Sequence, residues 1–264
     1  MRRPAKTLHA HELYQLSVQN PEFETKFLRR VYRRLRGKEA LKLREDFCGT
    51  AILATEWVRR VPDGRSQGID LHLPTLKWGE KHNIAQLGPK AERIQLVNGD
   101  VLEASGFSPD LVVAFNFSYF VLKTRELLLR YFRQVRRTLA TDGVFVLDIY
   151  GGSEAQSHQE ERTRQGGFTY VWEQAKYNPI TGDYLCYIHF EFPDAPRKSR
   201  AFTYDWRLWH LPEVLDTLRD AGFEDPTVYW EGTDEKNGGG NGIFRPSRKG
   251  DDSASWVAYI VAPK

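Results

Sequence analysis

Residues 44–53, REDFCGTAIL, carry the chain from a short apolar run (ALKL, 40–43) into a helical pattern. A glycine between a strand and a helix lets the backbone approach a ligand closely, and the helix that follows offers free N–H groups to it. The Gly-Lys-Ser/Thr ending of a phosphate loop is missing, so the turn is not of that kind. What it serves is decided by the elements around it.

Those elements alternate. Strand-like ALKLREDF (40–47) is followed by helical AILATEWVRRV (51–61), then SQGIDL (66–71), helical PTLKWGEKHNIAQL (74–87) and RIQLVNGDV (93–101). PDLVVAFNFSYF (109–120) reads as a strand, RELLLRYFRQVRRTL (125–139) as a helix and GVFVLDIYGG (143–152) as a strand. Short apolar strands separated by helices predict a parallel sheet covered on both faces. Upstream, residues 11–35 place Phe23, Phe27, Val31 and Leu35 at helical spacing, which makes 1–40 an N-terminal helical cap. After Gly152 the rhythm turns to β. FTYVWEQAKY and YLCYIHFEF flank the turn NPITGD as a hairpin, and RAFTYDWRLW adds a third aromatic strand. LPEVLDTLRDAGF is a helix with Gly222 as its stop, and PTVYWEG and SWVAYIVAP are strands flanking a mobile, glycine- and charge-rich loop, 233–255. The α/β core is therefore 41–152 with 211–264, interrupted by a β-rich lid, 153–210.

Composition sets the outer bounds. The 264 residues are 41% hydrophobic, 28% charged and 13% aromatic, an ordinary globular balance with many rings. A net charge of +3 creates no field that demands nucleic acid. Cys48 and Cys186 allow at most one disulfide and suggest neither a secreted scaffold nor a zinc site, so a reducing cytoplasm is expected. No apolar stretch approaches a membrane span, and the basic start lacks the apolar core of a signal peptide.

Three features fall at the carboxyl ends of successive strands, the edge where open α/β sheets bind ligands. They are the loop Cys48-Gly49-Thr50-Ala51, Asp70 in GIDL, and Asp100 in NGDV. An acid at the second position accepts hydrogen bonds from ribose hydroxyls in such sheets. One at the third can accept from an adenine amino group. In this order the chain resembles the class I S-adenosylmethionine-dependent methyltransferases. EDFCGTA is similar to that family's first motif, with Glu45 at its acidic position, Gly49 at the central glycine, and Phe47 and Ala51 where glycines are commoner. The resemblance implies a Rossmann-like, seven-stranded, mostly parallel sheet ending in a reversed hairpin, with the lid after the fifth strand. It implies S-adenosylmethionine as cofactor, held by Glu45, Cys48, Gly49, Thr50, Ala51, Asp70, Leu71, Asp100, Val101 and Asn116, with Tyr14 of the opening helix closing over it. A dehydrogenase is the rival reading, but the full Gly-x-Gly-x-x-Gly is absent and the terminal reversed hairpin is not expected there.

The methyl acceptor is read from two places. Asn116-Phe117-Ser118-Tyr119 is similar to the Asn-Pro-Pro-Tyr motif of nucleic-acid amine methyltransferases with both prolines missing, and Arg29, Arg30, Arg33, Arg34 and Arg36 form a basic stripe on one helix. Against RNA stands the aromatic insertion. Its alternation puts Tyr204, Trp206 and Leu208 on one face, and most of the insertion's rings are expected to be core. Asp205, Arg207 and Trp209 lie on the other, expected with Glu173 to line a pocket for a small cationic or amphipathic molecule. A small-molecule substrate is therefore favoured over RNA, with transfer to nitrogen or oxygen by in-line displacement; a non-catalytic cofactor-binding module is the remaining alternative. Tyr119, His189, Asp205 and His210 are the candidate bases, and Tyr119, Trp172, Asp205, Trp206 and Trp209 the candidate substrate contacts. No histidine or carboxylate cluster has metal-ligand spacing.

Overall fold

The computed structural model describes residues 4–234 and 239–264. Its central sheet has eight strands in the order β11-β10-β12-β5-β4-β1-β2-β3. The parallel part is built from β1 (Lys42–Asp46), β2 (Arg65–Asp70), β3 (Ile94–Asn98), β4 (Leu111–Ala114) and β5 (Val144–Gly151). β12 (Trp256–Pro263) runs antiparallel between β5 and β10 (Thr227–Thr233). The order reverses between β1 and β4, which opens a crevice above their carboxyl ends.

Two helical layers cover this sheet. α2 (Pro21–Arg36) and α3 (Ile52–Arg60) bury Phe27, Leu28, Val31, Leu53 and Trp57 against one face. α5 (Arg125–Thr138) and α6 (Leu211–Asp220) bury Leu128, Phe132, Val214 and Leu218 on the other. α4 (Leu73–His82) follows β2. Under α5 a buried Arg44 makes a bidentate pair with Asp46 at 2.9 and 3.1 Å, and the Tyr131 hydroxyl donates to the same carboxylate.

The expected N-terminal cap is two helices, α1 (Ala10–Ser17) and α2, because Asn20 caps and Pro21 starts the second. Only α1 sits over the insertion, with Leu13 packed on Phe168, Ile188 and Phe190. α2 belongs to the core. The insertion is a four-stranded antiparallel sheet of β6 (Gln159–Gln165), β7 (Phe168–Tyr177), β8 (Asp183–Phe192) and β9 (Ala195–Arg207). β6, QEERTRQ, has no apolar alternation to announce it. The loop expected at 233–255 contains a further strand, β11 (Gly240–Pro246), paired antiparallel with β10; residues 235–238 lie outside the described residues. The central sheet thus has eight strands where seven were expected.

Gly79 fixes how α4 meets the loop after β1. A Cβ there would stand 2.3 Å from the Thr50 carbonyl oxygen. Gly79→Ala should destabilise the fold by roughly 1–3 kcal/mol, read as a lowered Tm in thermal denaturation.

Candidate active site

The loop after β1 bends back on itself through three left-handed residues, Phe47 (φ 57°), Gly49 (φ 52°) and Ala51 (φ 54°). Side chains dislike this region, so Phe47 and Ala51 are held there by surroundings. Cys48 N–H donates to the Ile69 carbonyl, Gly49 N–H to Asp70 Oδ2 at 2.8 Å, and Ala54 N–H to Glu45 Oε2 at 2.9 Å. Thr50 is tied twice: its hydroxyl accepts from Gln15 of α1 and its carbonyl from Asn83.

This loop forms one wall of a cleft of about 650 Å³. Asp70, His72 and Thr75 form the next wall, Phe115 and Asn116 the floor, and His11, Tyr14 and Gln19 the side toward α1. Tyr204, Asp205 and Trp206 reach in from β9. Asp70 Oδ1 accepts from His72 N–H, which aims the carboxylate along the cleft rim. Asp100 is not among the lining residues; it accepts from Leu102 N–H. Leu71 is 71% exposed and Val101 is buried in the core. The ends of β2 and β3 are nevertheless pinned together, because Asn98 Nδ2 donates to the carbonyls of Asp70 and Leu71.

A second cavity, of about 200 Å³, adjoins the first and shares Tyr14, Asn116, Tyr204 and Trp206 with it. Its walls are Phe117, Tyr150, Tyr170 and Trp172, with Glu161 as its one carboxylate and Gln174 beside it. Glu161 is exposed, on a strand whose interior positions all face solvent in part. Burial and the nearby Glu154 raise its pKa above the usual carboxylate range.

Trp172 and Trp206, expected as substrate contacts, line the smaller cavity, whereas Glu173, Arg207 and Trp209 of the face expected to form the pocket line neither cavity. The ring-bearing face lines the cavity, since Glu161 lies directly opposite Trp172 and both point inward. The charged face is satisfied by ion pairs, two of them to residues of the core. Asp205 pairs with Lys123 at 2.8 Å, Arg207 with Glu213 at 3.0 Å, and Glu173 with His189 at 2.7 Å. Of that face's expected contacts only Asp205 reaches the cleft rim. Tyr119 is buried among Phe120 and Phe132, so it does not present its ring or hydroxyl to either cavity. Trp209 is buried with its indole N–H donating to the Leu122 carbonyl. His210 caps α6, where Glu213 accepts from its backbone N–H. His189 accepts from Arg200 N–H on the outer face. Among the described residues, Glu160, Glu173 and His189 have metal-like spacing, but Arg162 and Arg197 neutralise Glu160 and the group lies outside the cleft.

Sequence reasoning missed two buried acids, Asp148 and Glu24, and one amide, Gln19; Glu45, which it did single out, is buried as well. Asp148 of β5 accepts from Asn116 N–H at 2.7 Å and Phe117 N–H at 2.9 Å. Burial pushes its pKa up to about 7, that of Glu24 to about 8 and that of Glu45 to about 8. Gln19 Oε1 is buried in the cleft wall with no hydrogen-bond partner. An acid within the apolar run VFVLDIY was the available signal for Asp148. Burial, His9 and His72 lower the His11 pKa to about 4, so that ring is neutral at the cleft.

No protein-family model matches the sequence, and no curated protein matches it. Solved structures do match the fold. It is similar to a S-adenosylmethionine-dependent methyltransferase from Clostridium acetobutylicum (TM-score 0.69, 16% identity, 96% of each chain covered). It is similar to CalS10, an amino pentose methyltransferase from Micromonospora echinaspora (TM-score 0.68, 18% identity, 99% of each chain). It is also similar to the sugar N-methyltransferase KedS8 from Streptoalloteichus sp (TM-score 0.65, 19% identity, 100% of this chain and 96% of that one). The fold is that of the class I S-adenosylmethionine-dependent methyltransferases. No described helix is long and apolar enough to cross a membrane.

The raised acids set a pH dependence. A carboxyl whose pKa is higher folded than unfolded contributes stability below its unfolded pKa, and that contribution is lost as pH rises through the folded value. With ordinary values of 3.8 to 4.5 moving to about 7 and about 8, the ligand-free protein should lose Tm progressively between pH 5 and 9. Glu24→Gln should flatten that decline in scanning calorimetry.

Proposed function

We propose that the chain is a S-adenosylmethionine-dependent methyltransferase that methylates an amine nitrogen of a small molecule. The observation that carries this is the junction of the two cavities: a cleft rimmed by Gly49 and Asp70 opens at Asn116 into a ring-lined chamber with one carboxylate.

The cleft residues suit this cofactor. Asp70 would take the ribose hydroxyls. The unpartnered Gln19 Oε1, which lines the cleft together with Glu45, would take the α-ammonium group. S-adenosylmethionine when bound supplies a methyl group on a sulfonium. The work left to the chain is to orient the acceptor and exclude water, chiefly approximation. Trp172, Tyr204 and Trp206 pack against one another at ring-centre distances of 4.4–6.1 Å and enclose the acceptor's body. Rings with a single carboxylate attract a cation, which supports an amine over a hydroxyl acceptor. An amine must be neutral to attack, and Glu161, its pKa raised, is placed to hold the ammonium and then accept its proton. The likeness to an amino pentose methyltransferase and a sugar N-methyltransferase supports an amino sugar as the kind of acceptor to test first.

Titration calorimetry with S-adenosylhomocysteine should show binding, weakened about ten- to a hundredfold in Asp70→Ala as charge-assisted hydrogen bonds are lost. Absence of heat from a folded protein removes the proposal. In an assay of S-adenosylhomocysteine release over a panel of amino sugars and other small amines, Glu161→Gln and Trp172→Ala should each lower kcat/KM by about tenfold or more while cofactor affinity stays within about twofold. Binding without turnover on any acceptor would leave a cofactor-binding module instead.

A further inference from the structure

The basic stripe of α2 is divided by its neighbours. Of six cations, Lys26 pairs with Glu22, Arg29 and Arg33 both clasp Glu39, and Arg36 donates to the carbonyls of Asp142 and Gly143. Arg30 and Arg34 remain without a carboxylate partner among the described residues. They stand one turn apart on the same side, a spacing at which like charges oppose each other. Arg30 leans on the Phe27 ring, 5.6 Å from its centre.

Both guanidinium groups open onto a cleft of about 490 Å³ between α2 and the β10–β11 hairpin. Its floor is apolar, with Val31, Ile243 and Phe244, and Arg245 of the edge strand lines its rim. The Tyr229 phenol lies in the same cleft; burial raises its pKa, and Arg34 and Arg30 pull it back. The acid closest in register, Glu231 opposite Phe244, is spent on the Gly242 N–H at 2.7 Å.

We infer that this cleft, on the α2 side of the sheet and separate from the active site, is a binding site for a small organic phosphate. Guanidinium forks match phosphate oxygens in pairs, and the apolar floor with its phenol receives the organic part. A polynucleotide would need a longer cationic track. Here the stripe is bounded by Glu22 toward the start of α2 and Glu39 beyond its end. The inference stands whether or not the methyl-transfer reading does.

Calorimetric titration of the full chain with pyrophosphate and with uridine 5′-diphosphate tests it. Arg30→Ala/Arg34→Ala is compared with Arg29→Ala/Arg33→Ala at equal net charge, and Arg30→Lys/Arg34→Lys keeps the charge without the fork. The expected result is binding of both probes, weakened about tenfold or more by the first pair, less than about threefold by the second, and measurably by the lysine pair. Circular dichroism confirms that each variant is folded. Four results overturn the site: no heat from either probe at millimolar concentration, equal losses in the two alanine pairs, displacement of the diphosphate by S-adenosylhomocysteine, or tighter binding of single-stranded RNA than of the diphosphate through the same two arginines.

Discussion

Asp148 holds the site together. Its carboxyl is buried, and it accepts the N–H groups of two consecutive residues, Asn116 and Phe117, both in left-handed conformation at φ 57°. Those two residues end β4 and turn the chain across the mouth of the crevice. Asn116 then faces both cavities and Phe117 the smaller one. Without the carboxyl, two backbone donors would be stranded in an apolar floor, at a cost of about 1–3 kcal/mol each. β5 is the right strand to carry it, since it is bonded to β4 on one side and β12 on the other. The burial that makes the contact rigid also lifts the acid's pKa to about 7.

Much of this architecture was legible, and the reasons for the rest are physical. β4 and most of β5 could be read because both faces are covered and they appear as apolar runs, whereas β1 (KLRED) and β2 (RSQGID) are largely polar and were legible from their alternation with helices. β6 could not, because Gln159–Gln165 is charged along its length and is strand only by pairing with β7. β11 was hidden by its glycines, and α1 merged with α2 because apolar spacing continues across a break that Asn20 and Pro21 make. Alternation identified which rings share a face of the insertion. It carries no information about which face lands on the core's open edge, and that is where the pocket was misjudged. His189 and His210 look chemical in sequence, yet each is a hydrogen-bonding fixture, one on an outer sheet face and one at a helix start.

The loop after β1 shows why the family motif is faint while the fold is clear. Phe47 and Ala51 stand where the sequence resemblance predicts glycine, and both take the backbone angle that glycine would take freely. Neighbours supply what the missing glycines would have given. Phe47 packs edge-on against Tyr131 at 5.5 Å, and Ala51 closes a turn by donating to the Cys48 carbonyl. Side chains can thus drift from a pattern while the path of the main chain, and the carboxylates aimed along it, stay in place.

The position of β12 has a consequence for how the molecule assembles. It bonds along the whole of β5, with Trp256 opposite Gly151, and also carries β10 and β11 on its far side. About a hundred residues, the entire insertion among them, separate these partners along the chain. During synthesis the open edge of β5, apolar but for Asp148, must wait for that length to be made. Contacts so distant in sequence are slow to close. The insertion, whose four strands are joined by short local turns, has no such distance to close.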